Sequence, residues 1–79
     1  MTKITVFKKD YVTELVKIIR NAKNAQTLQR HLSNYHDKDI AEAITKLSET
    51  ERMRLYTMID IPRLAEIFSY LDDAKPYLD

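Results

Sequence analysis

Not one of the 79 residues is glycine. Phosphate-cradling loops, dinucleotide fingerprints and strained nucleophile elbows each need a backbone position that accepts positive φ or close approach of a ligand, which glycine supplies. Those enzyme classes are excluded at the outset. Cysteine is also absent, which removes disulfide frameworks, thiol catalysis and zinc sites built on thiolates. The two histidines, His31 and His36, flank no HExxH pattern. No catalytic constellation is legible, so the chain is predicted not to be an enzyme.

Apolar residues at spacings of three and four predict helices along most of the chain. Tyr11, Leu15, Ile18, Ile19 and Ala22 make a first apolar face, with Glu14, Lys17 and Arg20 largely on the other side. Ala25, Leu28, Leu32 and Tyr35 make a second, which Asn24 is placed to cap. Ile40, Ala43, Ile44 and Leu47 make a third. Ser48 and Glu51 have the S-x-x-E spacing in which hydroxyl and carboxylate each take up an orphan amide. A fourth helix is therefore predicted to start there, to bury Leu55, Met58 and Ile59, and to stop near Ile59, because Pro62 cannot continue the ladder. Pro62 suits the first turn of a fifth helix, capped from Asp60 or Ile61, with Leu64, Ile67, Phe68 and Leu71 on its face. Asp72 or Asp73 followed by Pro76 reads as the start of a sixth, cut off at Asp79. Residues 1–9 alternate only weakly and are predicted to be an arm, disordered or packed, ahead of a helical domain over 10–79 that is truncated at its C-terminal end.

The chain also matches itself. A shift of 24 pairs Ile40 with Leu64, Ala41 with Ala65, Glu42 with Glu66, Ile44 with Phe68, Leu47 with Leu71 and Ser48 with Asp72. Two copies of a two-helix unit are read here, preceded by an atypical leading piece. A unit of two short helices cannot hide its apolar stripe alone, and stacking of neighbours turns the stripes into a core. Ala41 and Ala65 are expected at helix contacts, where a small side chain allows close approach. The fold class is accordingly all-α, a short solenoid-like superhelix of about five to six short helices in helix-turn-helix repeats.

Charge is distributed unevenly. Met1 to Arg30 holds seven bases against Asp10 and Glu14, whereas six bases meet ten acids from His31 onward. A basic front and an acidic rear bear on partners rather than on fold. No helix-turn-helix glycine or aromatic stacking platform accompanies the bases, and no nucleic acid is expected. No stretch supplies the roughly 18 apolar residues of a membrane span, and a soluble chain is expected. Among the acids, Asp39 falls in a first turn, where negative charge suits the helix dipole, and Glu42 stands four before Lys46. Met53, Met58, Tyr11, Tyr56 and Tyr70 are assigned to core or interface, and His31 to the surface.

At His36, Asp37, Lys38, Asp39, Ile40, Ala41 and Glu42 followed by Leu47, and again at Leu64, Ala65 and Glu66 with Leu71, the chain resembles the N-terminal cytosolic domain of MgtE-type magnesium transporters. The resemblance runs from about Ala25 to Asp79 and rests on the paired A-E units. The proline that the family usually carries in the first turn of the third helix is missing here, while Asp39 is kept. A related short-helix pattern occurs in the flagellar motor switch protein, and a protein-interaction module of that kind is the alternative reading.

The resemblance implies a right-handed superhelix that forms the first cytosolic module of a dimeric transporter, followed in the parent by CBS domains and a membrane pore. It implies a regulatory role on the cytoplasmic side of the membrane, with Mg²⁺ held between this module and the CBS domains. Glu66, the glutamate of the second A-E unit, is the first candidate ligand of that shared ion. Asp72 and Asp73, adjacent carboxylates at the following turn, come next. Mg²⁺ takes hard oxygen ligands and keeps several waters, so one or two carboxylates from each side suffice.

Overall fold

The computed structural model describes residues 10–71 and is all-α over them. Five helices follow one another: α1 (Tyr11–Asn21), α2 (Ala25–Leu32), α3 (Asp37–Ile44), α4 (Glu49–Tyr56) and α5 (Ile61–Phe68). The expected arm and sixth helix lie outside the described residues.

From α2 onward the helices obey a period of twelve, with each helix eight residues long and N-caps at Asn24, His36, Ser48 and Asp60. The 24-residue repeat is therefore two such periods. The leading piece is less atypical than the sequence matching implied, because α2 keeps the same length and phase as the helices after it.

The caps explain the starts. Asn24 accepts from the Thr27 amide at 2.8 Å. Ser48 accepts from the Glu51 amide at 3.2 Å while the Glu51 carboxylate accepts from the Ser48 amide at 2.9 Å, completing the capping box read from the sequence. His36 caps α3 through Nδ1, which accepts from the Lys38 amide at 3.0 Å. Asp60 makes no side-chain cap bond to α5; with Pro62 in the first turn, that helix has one amide fewer to satisfy. Asp10 caps α1 by accepting from both the amide and the hydroxyl of Thr13, at 3.0 and 2.6 Å.

The ends show how a chain without glycine closes a helix. Left-handed glycine caps are the common solution. Here the C-caps of α2 to α5 are Ser33, Thr45, Thr57 and Ser69, all in the right-handed helical region. Each hydroxyl donates to the carbonyl three residues back, at 2.7 Å for Ser33 to Arg30 and 2.6 Å for Thr45 to Glu42, Thr57 to Arg54 and Ser69 to Glu66. Tightened backbone bonds of the i to i+3 kind follow, such as Met58 to Leu55 at 2.8 Å. This closure ends α4 at Tyr56, earlier than the stop near Ile59 expected from Pro62, and leaves Met58 and Ile59 in the connecting turn.

α3 sits at the centre, packed on α1 and α5, while α1 also touches α2 and α4. Half of its residues, Ile40, Ala41, Ala43 and Ile44, are buried, and Leu15, Ile19, Leu28, Leu32, Leu55 and Ile67 close around them. The buried face of α1 is Leu15, Val16, Ile19 and the adjoining Ala22, with Val12 and Ile18 at its edge. Tyr11, placed on that face by spacing, is instead half exposed and lies edge-on to Tyr35 with ring centroids 6.0 Å apart. Met53 and Tyr70 are also about half exposed. No helix among the described residues is long and apolar enough to cross a membrane.

The two alanines of the repeat part company. Ala41 is 1% exposed in the core, whereas Ala65 stands at the surface, so the expected helix contact exists at Ala41 and is absent at Ala65 among the described residues. The reason is position: α3 has neighbours on several sides, and the corresponding side of α5 has none among the described helices. Ala41→Leu is expected to overpack the core and cost about 1–3 kcal/mol, while Ala65→Leu stays within about 0.5 kcal/mol of the parent. Urea unfolding of the two variants checks this, and equal losses would contradict the asymmetry.

Candidate functional site

The acid singled out by the resemblance lies in the last turn of α5. Glu66 is exposed, and its side chain has no hydrogen bond or ion pair among the described residues. Its backbone carbonyl is occupied, accepting from the amide and the hydroxyl of Ser69 at 3.2 and 2.6 Å. A carboxylate near a helix C-terminus faces the negative end of the dipole and is disfavoured there by about 0.3–1 kcal/mol. No basic residue in the last turn of α5 offsets it.

Glu42 holds the equivalent place in α3, also exposed, in a last turn without a base. It does not pair with Lys46: the ion pairs among the described residues are Arg20 with Glu51 and Arg63 with Asp37. Lys46 instead adds a favourable field at Asp10. Asp39 lies in the first turn of α3 beside Asp37, the helix end that suits it. His36 is committed to its cap, and its ring meets Tyr70 edge-on at 5.5 Å. His31 is exposed, as expected. Asp72 and Asp73 lie outside the described residues. Among the described residues no group of three or more His, Cys, Asp or Glu side chains could hold a metal ion. The structure thus places Glu66 in no group of three or more such side chains within the described residues.

Several polar contacts that position this surface could not be read from sequence spacing. Arg63, on α5, donates to the Leu32 carbonyl at 3.0 Å and to Asp37 at 3.2 Å, tying α5 to the corner between α2 and α3. Arg54, on α4, donates to the Ile19 carbonyl at 3.3 Å and to that of Ala22, closing the C-terminus of α1. Gln29 donates to the Met58 carbonyl at 2.6 Å. The Tyr35 hydroxyl donates to Glu14. All join residues 21 to 35 apart in sequence. The cap at Asp10 had a usable signal, an aspartate directly before an apolar helical period.

Ionisation follows these contacts. The Arg20 side chain bonded to Glu51 at 2.6 Å, aided by the Ser48 amide, holds the Glu51 carboxyl below its ordinary range. The Thr13 hydroxyl does the same for Asp10. The bond to Glu14 pushes the Tyr35 phenol up. A lowered carboxyl gives stability that is full above its unfolded pKa, about 4, and is lost as pH falls through the folded value. A raised phenol gives stability that is full below about 10 and is lost as pH rises through the folded value. Circular-dichroism melting across pH is therefore expected to show a neutral plateau with two shoulders. Glu51→Gln should blunt the acid shoulder and Tyr35→Phe the alkaline one, and unchanged shoulders would exclude these contacts as their source.

The family model described as MgtE intracellular N domain matches residues 35–76, a little over half of the chain. No curated protein and no solved structure matches it.

Proposed function

The chain belongs to the MgtE intracellular N domain family, an N-terminal domain of MgtE-type magnesium transporters, and on that footing we propose that it is the Mg²⁺-sensing regulatory module of its parent. In this reading Glu66, with Asp72 and Asp73, offers carboxylates to a cation shared with CBS domains of the same parent chain. The occupied state holds the cytosolic parts of a homodimer together and keeps the pore shut. The helices continue as a right-handed superhelix, on the cytoplasmic side of the membrane. The family finding favours this over the flagellar-switch alternative.

The observation that carries the proposal is the situation of Glu66: exposed, without a partner among the described residues, and at the helix end where its charge is least welcome. Its carboxylate has no structural work to do in α5, and an external cation would relieve it. The donor set is all oxygen, which suits Mg²⁺, an ion that binds through few carboxylates and retains water. Bound Mg²⁺ supplies positive charge between acids that otherwise repel across two modules. Every other contribution comes from the chain. α5 presents Glu66 from a rigid element, and Arg63 holds that element to Leu32 and Asp37. With the acids unneutralised, separated modules gain population by as much as the ion's affinity differs between the two arrangements.

The test is transport by the parent protein in vesicles at graded internal Mg²⁺. Glu66→Gln, alone or with Asp72→Asn and Asp73→Asn, is expected to raise the internal Mg²⁺ that half-closes the pore by about tenfold, a change worth about 1.4 kcal/mol of coupling. Half-closure at the parent concentration in all these variants would overturn the assignment.

A further inference from the structure

The face opposite in charge to the proposed acidic site contains a groove of about 450 Å³ along α1 and α2. Its floor is apolar: Leu28 is fully buried, Ala22 nearly so, and Ile18 partly. Its rim carries Lys17, Lys23 and His31, all exposed. Neither lysine makes an ion pair or side-chain hydrogen bond among the described residues. Glu14 is the one acid in the lining, its carboxylate accepting from the Tyr35 hydroxyl, so two lysines stand against one carboxylate and leave the rim a surplus of one positive charge. The volume falls in the range of about 300–1,000 Å³ usual for ligand clefts.

We propose that this groove docks an acidic amphipathic helix of a partner. A helix laid in a groove inserts apolar anchors spaced three, four and seven apart and leaves its flanks at the rim. An apolar floor beneath lysines asks for those anchors to be flanked by Asp or Glu. A flat lipid headgroup layer meets the lysines at the rim without entering the groove as far as Ile18 and Ala22. A nucleic-acid backbone makes no use of an apolar floor either. Charge at the rim chiefly steers the encounter and selects the partner, and the buried anchors supply the hold.

Three fluorescein-labelled helical peptides test this on the full 79-residue chain. They share leucines at the i, i+3, i+7 spacing and carry acidic, neutral or basic flanks. Anisotropy is expected to give saturable binding in the order acidic, neutral, basic, with about tenfold separating the first two, and with the difference shrinking as salt rises. The exposed double variant Lys17→Glu with Lys23→Glu should reverse the order while keeping the parent circular-dichroism spectrum. Amide shifts in the labelled chain should move at Ile18, Ala22 and Leu28. Failure of all three peptides to saturate, an order indifferent to the double variant, or shifts confined to other helices would each overturn the proposal. So would vesicles of phosphatidylglycerol that move the same amides and displace the acidic peptide, because the site would then be a membrane contact.

Discussion

The rest of the structure depends on how eight-residue helices are kept closed at their ends. Helices this short are unstable alone, since two turns carry few internal hydrogen bonds for the residues they fix. Each exposes several unsatisfied carbonyls at its C-terminus. One of these in each of α2 to α5 is met locally by a serine or threonine hydroxyl. That of α1, which ends instead at Ala22 in an extended conformation, is met from a distance by Arg54. Arg63 adds a second distant donor, at Leu32. The arginine contacts are part-buried and the hydroxyl closures exposed, and in the core no polar or charged side chain is buried among the described residues.

Much of this was legible because it is local. Asn24, the Ser48–Glu51 box and Pro62 act within one turn, and spacing alone identified them. The hydroxyls at 33, 45, 57 and 69 are equally local, yet their period is masked in the sequence because the side chains between them differ and residues match better at the longer shift. What spacing could not supply was the direction from which each helix is covered. Tyr11 and Leu15 lie on one stripe, but α3 covers the side holding Leu15 and Val16, and Tyr11 is left with Tyr35 at the edge. Ala41 and Ala65 hold equivalent places in the repeat and have opposite burial for the same reason.

The two candidate surfaces were legible to different degrees. The sequence showed a basic front and an acidic rear, and the resemblance pointed to Glu66. The groove was not visible, because Lys17 and Lys23 become its rim only when α2 turns back beside α1. The orientation of Glu66 depends likewise on α5 being clasped at Arg63, a residue whose role involves partners 26 and 31 positions away. The Glu66 surface thus follows from a long-range closure and the groove from the turn between two neighbouring helices, and spacing reveals neither.

The twelve-residue spacing of the hydroxyl closures has an evolutionary corollary. Since the hydroxyl closure at each junction from α2 onward joins residues three apart, duplication or loss of a whole number of units leaves that closure chemically intact. The residue three before the closing hydroxyl, however, alternates Arg30, Glu42, Arg54, Glu66. Gaining one unit would set like charges at two consecutive closures, and gaining two can keep the alternation. A pair of units is therefore the smallest increment that keeps the order of charge along the array.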